Sequence, residues 1–439
     1  MNKKDSESVA VGYMPRLLDD YLGELLGEGL PAMAIDGPKS IGKTETAKRL
    51  AQTVFSLEDR KIRESVINEP RLVTTAPSPV LIDEWQKWPD IWNYVRTAVD
   101  EESINPESLG ASFLLTGSAY PPKADIHSGA GRIVHIRMRP MSLQERQLES
   151  PTVSIAACLS GRQKDVLAST MLSARDYLAE ITRSGFPAIR MMSDRIRPFE
   201  IEGYLDNIVN REFGENGYEV RRPSLLLQWL KAYAAATGTT ASYTEILDAA
   251  TPGENYKPSK KTSLTYRNAL ESLWLLDEVQ PWIPSGGQFS RLKQTAKHFL
   301  ADPALTACLL DLDADMLLNG GDDTKFDGAY GIMVGRLFEA LVAQSLQTYA
   351  LVNDAKVGHL RTQNGDHEVD FIVHKGRKIV AIEVKFSPLV DDVDVKHLTW
   401  LKDKYGENLT ECIVVTTGPD VYRRKKDGVL VVPAALLGA

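Results

Sequence analysis

Cysteine is scarce in this chain of 439 residues: Cys158, Cys308 and Cys412 lie far apart, with no CxxC spacing. That argues against a disulfide framework or a cysteine zinc site and fits a reducing cytoplasm. No apolar run approaches the roughly 18 residues that a membrane-spanning helix requires. The N-terminal stretch MNKKDSESVAVGYMPR has no apolar h-region, so neither a signal peptide nor a membrane partner is expected. Excess positive charge is also missing. With 51 Lys and Arg against 59 Asp and Glu, the formal net charge is -8. The chain as a whole is no basic nucleic-acid coat, and any DNA surface must be a local patch. Internal repeats and low-complexity segments are absent. The composition, 43% hydrophobic and 25% charged, is that of a soluble globular protein, and the length implies two to four domains.

The most informative stretch is Ala32 to Thr46. An apolar run ends at Asp36 and meets Gly37-Pro38-Lys39-Ser40-Ile41-Gly42-Lys43-Thr44, which fits the phosphate-binding pattern G-x-x-x-x-G-K-[ST]. Thr44 to Val54 follows with apolar positions at helical spacing. Glycines let backbone N–H groups curl around phosphates at a helix N-terminus, where the dipole favours anions. Lys43 adds a point charge there, and the Thr44 hydroxyl is placed to ligate Mg²⁺. ATP and Mg²⁺ are the expected cofactors.

Pro79 to Glu84 reads as a short buried strand, and its continuous apolar pattern suits a parallel sheet. It ends on Asp83 and Glu84, 39 and 40 residues after Thr44. A nucleotide hydrolase needs one carboxylate for the metal and one for the attacking water. Asp83 suits the first role and Glu84 the second. A further strand, SFLLTGS, brings Thr116 or Ser118 to its tip, where either hydroxyl could meet the γ-phosphate or the water. Arg132 follows the turn Ser128-Gly129-Ala130-Gly131, a suitable place to reach a neighbouring subunit's nucleotide. Arg137 and Arg139 compete for that role. Trp85 to Asp100 has a helical pattern, whereas the stretch from Val54 to Ala76 reads as irregular.

From about Ala174 helices dominate. Ser224 to Pro284 gives three short helices followed by a hairpin-like segment with a turn at Gly286-Gly287, the outline of a winged helix-turn-helix. Lys257, Lys260, Lys261 and Arg267, with Arg291, Lys293 and Lys297 in or after the wing, form a basic strip suited to DNA phosphates. Nearer the C-terminus, Gly335 to Glu339 lies on a helix, followed by strands His367–Val373 and Lys378–Phe386. Glu383 and Lys385 share one strand face, opposite Val380, Ile382, Val384 and Phe386. A strand so apolar rarely carries Asp370, Glu383 and Lys385 without a reason. The arrangement resembles the PD-(D/E)xK nuclease core. In it Asp370 and Glu383 would bind Mg²⁺, Glu339 would assist, and Lys385 would orient water. A hairpin with a cross-strand lysine–acid pair, or a nuclease-like fold that binds DNA without cleaving it, fits the same residues.

GPKSIGKT, PVLIDEWQ, FLLTGSA, HSGAGRI with RMRPMSL, and the later GxxFE and VDF…EVK stretches together resemble one bacterial family. Its members are AAA-type ATPases whose C-terminal half is catalogued as domain of unknown function 4143. The resemblance covers nearly the whole chain and implies an AAA+ fold and a ring or partial ring of identical subunits, a hexamer. It suggests an α/β chain with a P-loop AAA+ ATPase domain (1–170) and a helical and winged-helix middle (171–300). An acidic connection (301–327) and a restriction-endonuclease-like domain (328–439) would follow. The reading that results is an ATPase acting on duplex or branched DNA in repair, recombination or defence. The rival is a nucleotide-dependent regulatory switch, for instance in a toxin–antitoxin or defence pair, whose turnover ignores DNA.

Overall fold

In a computed structural model, the described residues are 12–104, 112–119, 131–215, 217–218, 222–250, 259–284, 295–313, 316–317, 329–362 and 364–439. They divide into two units. The first takes the described residues of 1–36, 42–117 and 125–137, the second those of 37–41, 118–124 and 138–439.

The first unit is a parallel five-stranded sheet in the order β2-β3-β4-β1-β5. Its strands are β1 (Ala32–Asp36), β2 (Thr53–Ser56), β3 (Val80–Asp83), β4 (Phe113–Gly117) and β5 (Val134–Arg137). Strands β1, β3 and β4 are buried at every position, as their unbroken apolar runs require when both sheet faces are covered. Register sets Ser56 beside Asp83, and Asp83 beside Thr116. Three strand ends therefore line up. Helix α1 (Leu17–Gly27) buries Leu18 and Leu22, and helix α2 spans Lys43–Leu50.

Helical spacing suggested that α2 continues to Val54. It stops at Leu50, because the β-branched and aromatic Thr53-Val54-Phe55 can pair with β3 instead. The stretch expected to be irregular contains helix Arg60–Asn68, whose cap Asp59 accepts from the Lys61 N–H at 2.7 Å. Trp85–Lys87 is only a single tight turn, and the following helix begins at Ile91. Pro89 disfavours helical backbone at Trp88 and accounts for the break.

Helices of the second unit include Ala174–Arg183, Pro223–Ala235, Tyr243–Ala249 and Lys260–Ser272. Ser242 and Glu245 form a reciprocal capping box at the third of these. Segments after the last helix pair antiparallel, Leu276 with Leu300 and Val279 with Lys297. The expected Gly286-Gly287 turn lies outside the described residues. So does most of the acidic run of the expected connection. Its apolar start, Pro303–Leu309, is a buried helix capped by Asp302.

Strand β6 (Val153–Ser154) pairs in parallel with β14 (Leu437–Gly438). The main sheet has seven strands in the order β7-β12-β13-β11-β10-β9-β8. They are β7 (Ala168–Ser169), β8 (Lys356–Arg361), β9 (Glu368–Lys375), β10 (Lys378–Lys385), β11 (Leu409–Thr416), β12 (Asp420–Arg423) and β13 (Leu430–Pro433). β9 is antiparallel to both β8 and β10, while β10 and β11 are parallel through helix Asp392–Tyr405. Val395, Leu398 and Leu401 of that helix pack on Ile372, Ile379 and Ala381. β10 is buried at all six positions from Ile379 to Val384, so it is covered on both faces rather than the one expected. No helix among the described residues is long and apolar enough to cross a membrane.

Candidate functional site

In the first unit the start of α2 and three strand ends converge on one carboxylate. Gly42 caps α2 with φ 97°, a left-handed conformation that strains any other residue. Lys43 and Thr44 follow as the first two helical residues. The Thr44 hydroxyl donates to Asp83 Oδ1 at 2.6 Å, and the Thr116 hydroxyl donates to the same oxygen at 2.7 Å. Ser56 donates to Oδ2 at 3.1 Å. Lys43 and Asp83 are both buried. The Thr44 hydroxyl and Asp83 carboxylate are hard oxygen donors within contact of each other. They fit Mg²⁺, which takes one or two protein oxygens and fills its shell with phosphate and water. Ser56 escaped sequence reading because β2 itself did; the Thr-Val-Phe run beside it was the available signal.

Glu84 leaves β3 in a left-handed turn, φ 55°, a conformation that costs a non-glycine residue about 1 kcal/mol. Gln86 Nε2 donates to its carboxylate. A side chain at Gly117 would lie 2.6 Å from the Trp85 indole nitrogen, so only glycine fits where the β4 tip abuts this turn. Arg132 donates to Asp100 Oδ1 at 2.7 Å and is 44% exposed. Ser128, Gly129 and Ala130 of its turn lie outside the described residues. An unforeseen pair closes β1: His135 Nδ1 lies 2.6 Å from Asp36 Oδ2, and this hydrogen bond raises the imidazole pKa.

Gly37, Pro38, Lys39, Ser40 and Ile41 fall in the second unit, as does Ser118. There Lys39 Nζ meets Glu212 Oε1 at 2.7 Å, and Ile41 is fully buried. Lys39, Ser40 and Ser118 line a cavity of 380 Å³ with Tyr204, Arg211 and Glu212. Of Thr116 and Ser118, alternatives at one strand tip, Thr116 donates to Asp83. Arg139 is held by Asp277 and Gln347 in a nearly buried pair.

The second unit also gathers Glu339, Asp370, Glu383 and Lys385 around a cavity of 500 Å³. Lys385 Nζ lies 3.0 Å from Glu383 Oε1, and Asp370 Oδ2 accepts from the Val384 N–H at 2.9 Å. The carboxylates' cation is Lys297. Its Nζ lies 2.6 Å from Glu339 Oε1, 2.9 Å from Asp370 Oδ1 and 3.9 Å from Glu368 Oε1. Burial, partly offset by Lys297, lifts Glu339 to about 7; burial and the Asp370 charge lift Glu383 to about 8. Burial would raise Asp370 too, but Lys297 holds it below the ordinary carboxylate value.

Two expectations change here. Lys297, read as part of a surface strip for DNA, is 1% exposed. Its partners come from strand and helix positions more than 40 residues away, invisible to local patterning. Metal ligation by Glu339, Asp370 and Glu383 does not fit either. Among the described residues no three His, Cys, Asp or Glu side chains are placed to hold a metal ion, and Lys297 fills the gap between Glu339 and Asp370. Of the remaining strip, Lys260 and Lys261 are exposed. Arg267 pairs with Glu271 at 2.7 Å and lies over the Tyr243 ring. Lys257, Arg291 and Lys293 lie outside the described residues.

Three family models match the chain. An AAA domain matches residues 30–147, the domain of unknown function DUF8612 residues 174–316, and the domain of unknown function DUF4143 residues 334–437. An uncharacterized protein of Haemophilus influenzae is 23% identical over 365 residues, covering 80% of this chain and 75% of that protein. The Walker-type ATPase PABY2304 of Pyrococcus abyssi aligns at 13% identity and a TM-score of 0.38, over 68% of this chain and 96% of that one.

Proposed function

For a chain that carries an AAA domain at residues 30–147 and a DUF4143 domain at residues 334–437, we propose that the activity is ATP hydrolysis coupled to work on DNA by a homo-oligomer. The observation that carries the ATPase part is the Thr44–Asp83 hydrogen bond of 2.6 Å beside the buried Lys43. That contact brings the start of α2 and the end of β3, two different elements, to one point. Lys43 and the N–H groups at the start of α2 would bind the phosphates. Thr44 and Asp83 would hold Mg²⁺, which supplies charge neutralisation to the phosphates when bound. Glu84 would orient and deprotonate the attacking water. Its strained turn supports a role beyond structure.

The DNA part rests on the order of elements. Three helices and an antiparallel pair follow winged-helix order, with Lys260 and Lys261 exposed at the start of the third helix. The antiparallel β8-β9-β10 followed by a helical crossover to parallel β11 follows the order of a nuclease-like fold. Duplex or branched DNA would bind these modules. Subunits in a ring, a hexamer, would share Arg132 across their contacts, which requires Arg132 to leave Asp100.

Steady-state ATPase rates with no DNA, single strands, linear duplex and a four-way junction at matched salt test this function. Stimulation by one DNA, lost in Arg132→Ala, is the expected result. A flat response across all four overturns the DNA part and leaves a regulatory switch. Glu84→Gln is expected to keep ATP binding while turnover falls about 100-fold or more, the size of a lost general base. Unchanged turnover would assign the base elsewhere.

A further inference from the structure

We propose that the Lys297 ammonium is the resident cation between Glu339 and Asp370, beside the Lys385–Glu383 pair, standing where a nuclease-like site would place a divalent metal. The C-terminal domain then works without Mg²⁺ or Mn²⁺ at this position and does not cleave phosphodiesters through it. The nuclease-like reading enters only in saying where a metal would sit.

Geometry points to this first. Nζ contacts Glu339 on the helix Ala329–Leu351 and Asp370 on β9 at 2.6 and 2.9 Å. A metal bridging these two oxygens would compete for the gap the ammonium fills, and a dication beside a held ammonium suffers strong repulsion. Burial points the same way. Lysines ordinarily reach toward water with their charged end, but Lys297 is 1% exposed and lies over the face of Phe371 at 5.5 Å. Nor is its backbone loose: its N–H donates to the Val279 carbonyl at 2.9 Å, and its carbonyl accepts from the Val279 N–H at 3.0 Å. The ammonium is presented from a backbone position fixed by this isolated bridge.

An independent observation marks the cluster as a cation site rather than an incidental ion pair. Glu383 is 6% exposed, yet its Oε2 is buried with no hydrogen-bond partner among the described residues. Glu383 lines the same cavity as Lys297 and Asp370. Buried acceptors are rarely left so. Removing Lys297 would vacate the position between the Glu339 and Asp370 oxygens, two of the hard oxygen donors that Mg²⁺ and Mn²⁺ prefer, with water to complete the shell.

Mn²⁺ titration of the full chain without nucleotide or DNA, with free ion read by electron paramagnetic resonance, tests the assignment. Wild type and Asp370→Asn are expected to take up equal Mn²⁺. Lys297→Gln should bind one additional ion per chain, and adding Asp370→Asn should remove it. Wild-type Mn²⁺ that Asp370→Asn abolishes would overturn the proposal, as would a folded Lys297→Gln without the additional ion. Should Lys297→Gln fail to fold by circular dichroism, Lys297→Met replaces it; should both fail, the wild-type comparison with Asp370→Asn decides alone. Because neither DNA nor ATP is present, the outcome is separate from the ATPase test.

Discussion

Lys43→Ala is expected to lower ATP turnover by about 100-fold or more, and to weaken ATP binding to a comparable degree, the scale on which single phosphate-stabilising groups act. The position itself makes the argument. Lys43 is the first residue of α2 and 5% exposed. A cation at a helix N-terminus sits against the dipole, and burying it adds a desolvation cost. An anionic ligand converts both penalties into binding. Affinity measured with a fluorescent ATP analogue, alongside steady-state turnover, checks this. Wild-type affinity in a folded Lys43→Ala would remove the nucleotide site from α2. A conservative Lys43→Arg keeps the charge but not the compact ammonium, so binding should recover further than turnover.

The fold and the candidate site differed in how far local sequence could reach them. β1, β3 and β4 were legible because a parallel strand covered on both faces must be apolar throughout, a signal that survives without knowing the partner strand. Asp83 and Glu84 were legible because they interrupt such a run at its end. β2 was not: four residues after a helix, three half-buried and Val54 exposed, carry no period of their own, and pairing with β3 decides their state. Lys297 shows the same limit in the site. Local spacing places it after a wing among other basic residues, which describes a solvated strip. Only tertiary structure brings Glu339 and Asp370, 42 and 73 residues further on, against its ammonium. Thr116 and Ser118 look equivalent in sequence, two residues apart at one strand tip, and only the register of β4 against β3 selects Thr116 for Asp83.

Glu180→Ala is expected to destabilise the second unit by about 3–5 kcal/mol, the cost of stranding a buried charge. Glu180 lies in helix Ala174–Arg183 and is 2% exposed. It accepts from Arg190 at 2.6 Å and from Arg146 at 3.2 Å, and the Arg146 side chain has no exposed surface. Arg146 also donates to the Glu180 carbonyl at 2.7 Å and to Gln344 at 3.0 Å, which the substitution leaves in place. What is lost is the charge that Arg146 needs. Glu180→Gln keeps an acceptor and should cost less, about 1–3 kcal/mol; equal losses would show that packing, not charge, is decisive. Acid provides an independent check. Burial alone would raise the Glu180 pKa, but Arg146 and Arg190 outweigh it and hold the folded value below the ordinary 4.5. The ionised group therefore stabilises the fold above that ordinary value, and its contribution disappears as pH falls through the lower folded value. The gap between wild type and Glu180→Gln should narrow across that acid window. Hydrogen exchange of the amides in Ala174–Arg183 is the proper reading, since a chain of two units need not melt in one step.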